Sequence, residues 1–352
     1  MNRSFWRDKR VFITGHTGFK GGWLALWLAD MGAKVYGYAL QPPTEPNFYN
    51  EANVQSHLSS NTFADIRDGN ALAFAMQEAK PDIVFHLAAQ PLVRYSYAAP
   101  SETYAVNVMG TVNLLESARL TASVKAVVNV TTDKCYENRE WVWPYRESEA
   151  MGGSDPYSSS KACSELVTAA YRRSFFDSAG ISLASARAGN VIGGGDWALD
   201  RLVPDFLRAI DVGKTLMIRS PDAIRPWQYV LEPLSGYLCL AERLAVDGRF
   251  AQAWNFGPDE RDARSVEWIV DSLCRSIPGA AWQRETAPQP HEAGTLKLDS
   301  SKAKHQLGWR PRWNLDTALE KTVAWQQAWK LGKDMKTFSL AQIREYMESR
   351  PQ

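Results

Sequence analysis

Val11-Phe12-Ile13-Thr14-Gly15-His16-Thr17-Gly18-Phe19-Lys20-Gly21 is the stretch on which the fold turns. Its first four residues are a short apolar run of the kind buried on both faces of a parallel sheet. Glycines at 15, 18 and 21 follow at once, and Trp23, Leu24, Trp27, Leu28 and Met31 then recur at the three and four spacing of a helix face. A glycine turn between a first strand and a first helix lets the backbone approach a pyrophosphate closely. The helix N-terminus then offers free N–H groups to that anion. Placement on the strand–turn–helix unit, more than the glycine triplet itself, predicts a dinucleotide site.

Working outward, the same alternation repeats. Apolar runs at 34–40, 82–88, 125–131 and 182–188 predict further strands. Helical spacing lies between them, as with Val106, Val112, Leu115 and Ala118. Parallel strands need crossovers, so the fold class is α/β: a Rossmann-type, doubly wound parallel sheet. After about residue 190 the texture changes, opening on Gly193-Gly194-Gly195-Asp196-Trp197. Brief strands are predicted at 216–219, 227–230 and 254–256, and helices at 232–245, 265–277 and 315–331. The expected division is a dinucleotide-binding unit over 1–190 and a smaller, mixed α/β substrate domain over 191–352. A segment near 227–258 is expected to return to the first unit, with a ligand cleft between the two at the carboxyl edge of the sheet.

Composition narrows the function classes. The chain has 352 residues, 40 Lys+Arg against 39 Asp+Glu, and a formal charge of +1. It has no excess field for nucleic acid. Four cysteines without a CxxC pair suggest reduced thiols, neither a disulfide framework nor a metal site. No run reaches the roughly 18 apolar residues of a spanning helix, and the charged Met1–Arg10 stretch has no apolar signal core. The expectation is a cytoplasmic globular protein without a membrane partner.

The cofactor expected is NAD. One usual feature is missing: the second strand ends Tyr38-Ala39-Leu40-Gln41, with no acid for the ribose and no Arg for a 2′-phosphate. His16 and Lys20 are candidates for the diphosphate, Lys20 equally for a solvated helix start. Asp65, next to Ile66, either meets the adenine or caps an ordinary turn. Tyr157 and Lys161 are four apart at a helix start after Pro156, so hydroxyl and ammonium share one face. The charge is expected to lower the phenol's pKa and make it a base.

Together, Gly15-xx-Gly18-xx-Gly21, His86-Leu87-Ala88-Ala89 and Tyr157-xxx-Lys161 resemble the extended short-chain dehydrogenase/reductases. Arg225-Pro226-Trp227 and Asn255-Phe256-Gly257-Pro258 extend the resemblance over essentially the whole chain. Thr131-Thr132-Asp133-Lys134 is similar to the acid/base segment of the sugar-nucleotide 4,6-dehydratases, with Lys where most carry Glu. Lys there, Gln90-Pro91-Leu92-Val93-Arg94 and His291-Glu292-Ala293 resemble the branch acting on CDP-D-glucose. This implies an NAD-dependent lyase that removes water from a nucleotide sugar, feeding deoxysugars of bacterial surface polysaccharide such as lipopolysaccharide O-antigen. It also implies a homodimer or homotetramer.

On that resemblance Tyr157, Lys161 and Thr132 serve oxidation at carbon 4, with Asp133 as acid and Lys134 as base of the elimination. Thr17, Phe19, Leu87, Ala88, Ala89 and Asn107 join the loop glycines at the cofactor. Gln90, Asn190, Arg201, Arg225, His291 and Glu292 are the substrate candidates, Arg forks suiting phosphate. For Arg201 an interdomain salt bridge is as expected as a ligand role, whereas the ligand reading is favoured for Arg225 and Asn190, which sit in family motifs, and the acid/base reading of Asp133 and Lys134 over a solvated ion pair. A 4-epimerase, a dehydratase for another nucleoside diphosphate sugar, and a non-catalytic dinucleotide binder are the rivals; His86 reads as a packed core residue.

Overall fold

The computed structural model describes residues 1–286 and 293–351. Seven strands form one parallel sheet: β1 (Arg10–Thr14), β2 (Lys34–Ala39), β3 (Ser60–Phe63), β4 (Ile83–His86), β5 (Ala126–Val130), β6 (Ser182–Ala188) and β11 (Ala253–Phe256). Their order is β11-β6-β5-β4-β1-β2-β3. The winding reverses between β1 and β4, and such a switch point opens a crevice at the carboxyl ends of the strands. Three two-stranded ladders lie outside this sheet. β7 (Val191–Ile192) pairs with β10 (Gln228–Tyr229), β8 (Leu216–Ile218) with β13 (Trp282–Arg284), and β9 (Ile224–Pro226) with β12 (Ala263–Ser265).

Continuous apolar strands bury both faces. On one, Trp23, Leu24 and Trp27 of the helix Phe19–Asp30 share a core with Leu234, Leu238 and Leu240 of the helix Leu231–Leu244. On the other, Leu72, Met76, Leu114, Leu115 and Phe176 cover Phe12, Val84 and Val127. The helices Leu315–Lys330 and Met335–Glu348 also pack on the first face, where Tyr346 meets Trp27 edge to face at 5.7 Å. Trp325 leaves so little room beside Gly194 that a Cβ there would sit 2.0 Å from its ring. The C-terminal helices thus fix the glycine stretch that lines the crevice.

Candidate active site

The loop after β1 rests on the end of β4. Gly15 has φ +78°, and a Cβ on it would lie 2.7 Å from the amide of Ala88 and 2.8 Å from the carbonyl carbon of Leu87. Only glycine suits that conformation and approach. Thr14 Oγ1 ties the two strands, accepting from the Ala88 amide at 3.2 Å and contacting His86 Nδ1 at 2.7 Å. Gly21 is tighter, its Cβ position 2.0 Å from the Gly15 carbonyl oxygen. Gly18 differs: nothing stands nearer its Cβ position than that oxygen at 3.4 Å. It is also the N-cap of Phe19–Asp30 without a side-chain cap, so the first-turn amides keep their donors. A glycine cradle facing free amides fits a dinucleotide pyrophosphate.

The loop's two basic residues diverge. The His16 ring turns inward, 2.6 Å from the Cβ position of Gly37, with Nε2 2.6 Å from Asn61 Oδ1. Burial holds its pKa below the usual histidine range. Its side chain therefore packs under β2 and β3 instead of reaching a diphosphate. Thr17 likewise spends its hydroxyl on the Leu40 carbonyl (2.9 Å). Lys20 lines the cleft beside Phe19, with its Nζ 5.9 Å from the centre of the Tyr237 ring. Loss of solvent and the charges of Lys161 and Arg201 push its pKa down to about 7. It is no solvated helix start.

At the adenosine side, Asp65 pairs with Arg67, Nε to Oδ1 at 3.0 Å, and Ile66 packs against Gly110. Asn107 occupies a π-helical turn, Ala105–Met109, the kind of local widening often found at functional sites. It donates to the Gln90 carbonyl (3.0 Å) and to Ser160 Oγ (2.9 Å), and accepts from the Gln90 amide (2.8 Å). The segment after Ala89 is thereby tied to the Tyr157 helix. Gln90's own side chain closes on the Leu92 amide and Thr103, not on the cleft.

Asp155 caps the helix Pro156–Tyr171, accepting from the Ser158 amide at 2.9 Å, and Pro156 opens its first turn. Tyr157 follows, its amide on Ser96 Oγ at 3.2 Å. One turn on, Lys161 donates to the Val130 carbonyl at the end of β5 (3.2 Å). Beyond β5, Asp133–Cys135 forms a 3₁₀ turn capped by the Thr132 hydroxyl, which accepts from the Lys134 amide at 3.3 Å. Thr132 also donates to Asp133 Oδ1 at 3.0 Å, while Oδ2 is buried without a partner among the described residues. A Cβ on Gly189 would come within 2.9 Å of that oxygen. Burial raises the Asp133 carboxyl, so a held proton suits it.

The expected depression of the Tyr157 phenol by Lys161 is not found. Burial dominates and pushes it up to about 12, with the Thr132 hydroxyl and Arg201 pulling down. Lys161 itself falls to about 8 through desolvation. A buried ammonium bound to a carbonyl spends its field there, which spacing along a helix does not reveal.

These residues share one cavity of about 320 Å³. Thr132, Asp133, Lys134 and Tyr157 line it together with Arg94, Asn190, Arg201, Arg219 and Arg225. Arg201 bonds Asp196 at 2.8 Å, and Arg225 donates to the Ile224 carbonyl at 2.9 Å and the Gly294 carbonyl at 3.2 Å. His86 is a buried, hydrogen-bonded strand residue with its pKa pushed down to about 3. His291 and Glu292 lie outside the described residues. Arg94 and Arg219, which the sequence reading did not single out as ligands, also line the cavity; for Arg219 its place directly after β8 was the available signal.

With this geometry in hand, comparison with known proteins narrows the family. The family model described as GDP-mannose 4,6 dehydratase matches residues 12–254. A CDP-glucose 4,6-dehydratase of Salmonella typhimurium is 54% identical, over 99% of this chain and 99% of that protein. A dTDP-glucose 4,6-dehydratase of the same organism is 28% identical over 91% and 93%. Among solved structures, a dTDP-glucose 4,6-dehydratase from Bacillus anthracis in complex with NAD superposes with a TM-score of 0.75 at 20% identity. It covers 90% of this chain and 96% of that one.

Proposed function

The chain belongs to the GDP-mannose 4,6 dehydratase family, and on that premise we propose that it converts CDP-D-glucose to CDP-4-dehydro-6-deoxy-D-glucose and water with NAD as cofactor. The observation that carries this reading is that the Thr132-Asp133-Lys134 turn and Tyr157 line one cavity. An epimerase has no use for an acid and a base at that turn. The cytidine assignment is supported by the 54% identity over 99% of both chains.

When bound, NAD would supply the hydride acceptor of the first step and the donor of the last. Gly15, Gly18 and Gly21 hold its pyrophosphate against the helix amides, and Asn107 and Lys161 set the segments around it. Tyr157 acts from its phenolate form, its own proton first lost to solvent, and takes the proton of the carbon 4 hydroxyl at its Oη, while Thr132 hydrogen-bonds that oxygen. The ketone so formed acidifies the hydrogen at carbon 5, which Lys134 removes and returns to that carbon in the last step. Asp133 gives the proton of its raised carboxyl to the hydroxyl leaving carbon 6. Asn190, Arg201 and Arg225 hold the substrate, the part of the chain after residue 190 serving as the nucleotide-sugar domain.

The finer assignments belong to the same proposal: a cytoplasmic homo-oligomer supplying deoxysugars for surface polysaccharide such as lipopolysaccharide O-antigen. Tyr104, Met109, Leu166 and Phe175 leave an exposed apolar face on neighbouring helices, which supports a dimer. The decisive experiment is incubation with CDP-D-glucose and NAD⁺, following the product by mass. Loss of one water without net reduced cofactor is expected; an unchanged mass overturns the dehydratase reading.

A further inference from the structure

Arg94 and Arg219 line the cavity from two separate elements, one from the helix Val93–Ala98 after β4, the other just past β8. Both guanidiniums point at the same oxygen, Oδ1 of Asp200, at 3.0 and 3.9 Å. Asp200 sits between them in the left-handed region, φ +57°, at the end of a loop anchored behind it. That anchoring is firm: Arg208 donates to the carbonyls of Trp197 and Ala198 (2.7 and 3.0 Å), and Trp197 packs edge to face on Trp325 and Trp329. An anion that draws two guanidiniums, one within hydrogen-bond distance and one at ion-pair distance, occupies the kind of place a phosphate oxygen would take. Among the described residues the cavity is lined by the basic side chains Lys20, Arg94, Lys134, Arg201, Arg219 and Arg225 against the acidic Asp133, Asp196, Asp200 and Asp205, a basic excess suited to an anionic ligand.

We propose that Arg94 and Arg219 are ligands for the diphosphate of the nucleotide sugar, and that the Asp200 carboxylate is a built-in anion occupying their place until substrate displaces it. This rests on the nucleotide-sugar reading of the cavity. A ligand that must displace an internal competitor binds more weakly by the share of molecules in the closed arrangement. Neutralising Asp200 and neutralising the arginines must therefore act in opposite directions. Asparagine tolerates the left-handed backbone, so Asp200→Asn keeps the loop while removing the charge.

The test is calorimetric titration of the full chain and its variants with CDP, UDP and dTDP, alongside steady-state kinetics. Asp200→Asn is expected to bind the preferred diphosphate about threefold tighter, the gain from losing an exposed ion pair. Arg94→Ala and Arg219→Ala are expected to bind it about tenfold more weakly, with KM rising more than kcat falls. Weaker binding by Asp200→Asn makes Asp200 a strut and overturns the proposal, as does unchanged binding by both arginine variants. If UDP or dTDP shows the opposed shifts and CDP does not bind, the exchange stands and the cytidine reading fails.

Discussion

Glu165 and Arg187 meet as a two-pronged buried pair, Nε to Oε1 at 2.9 Å and Nη2 to Oε2 at 2.8 Å. Glu165 lies one helical turn past Lys161, and its carboxylate also accepts from Ser185 at 2.6 Å. Thr131 donates to the same carboxylate at 2.5 Å. The remaining guanidinium nitrogen, Arg187 Nη1, donates to the Tyr136 hydroxyl at 2.8 Å, which in turn donates to Asn255 Oδ1 at 2.7 Å. The segment that carries Thr132, Asp133 and Lys134 is thus clamped at both ends by one buried charge pair. Glu165→Gln strands the guanidinium and is expected to cost about 3 kcal/mol of stability. Denaturant unfolding checks this; a loss below about 1 kcal/mol would show the clamp to be dispensable.

The two loop glycines separate folding from cofactor binding. Gly21→Ala forces a Cβ to 2.0 Å from a backbone oxygen, so the variant should unfold or accumulate poorly. Gly18→Ala meets nothing closer than 3.4 Å and should fold with stability within about 0.5 kcal/mol of the parent. Its methyl occupies the cradle, so NAD affinity should fall about tenfold or more, measured by equilibrium binding. Equal NAD affinity in folded Gly18→Ala would place the pyrophosphate elsewhere.

The catalytic residues divide between the half-reactions. Tyr157→Phe is expected to lower turnover about 10²- to 10⁴-fold with no build-up of reduced nicotinamide, because carbon 4 is never oxidised. Lys134→Ala should pass the oxidation and stall, so reduced nicotinamide accumulates on adding CDP-D-glucose. Rapid-mixing absorbance distinguishes them, and identical traces from the two variants would refute the division of labour.

Glu232 gives the fold a pH dependence remote from the site. Its carboxylate accepts from the Trp313 amide (2.7 Å), the Arg312 amide (3.1 Å) and the Tyr346 hydroxyl (2.7 Å), joining the C-terminal helices to Leu231–Leu244. Burial outweighs these donors and raises its pKa to about 7 from 4.5. A raised carboxyl binds its proton more tightly folded than unfolded. The resulting stability is complete below about pH 4.5 and is lost as pH rises through about 7, on the order of 3 kcal/mol. Glu232→Gln should lack this slope in unfolding free energies measured between pH 5 and 8; parallel slopes would remove Glu232 as its source.

What the sequence determined was whatever depends on near neighbours. Strand runs at 11–14 and 182–188 became β1 and β6 to within a residue, because apolar runs and glycine punctuation act locally. The approach of Tyr157 to Lys161 follows from helix pitch, and the strand–turn–helix from glycine spacing. Tertiary structure alone decided where charge resides. Whether the His16 ring faces a diphosphate or Gly37 depends on β2 lying beneath it. Whether Lys161 ionises Tyr157 depends on how much water the assembled cleft excludes. Arg94 and Asp200 meet across 106 residues. No local pattern encodes that contact, since solvation and long-range charge pairing exist only once the cavity is assembled.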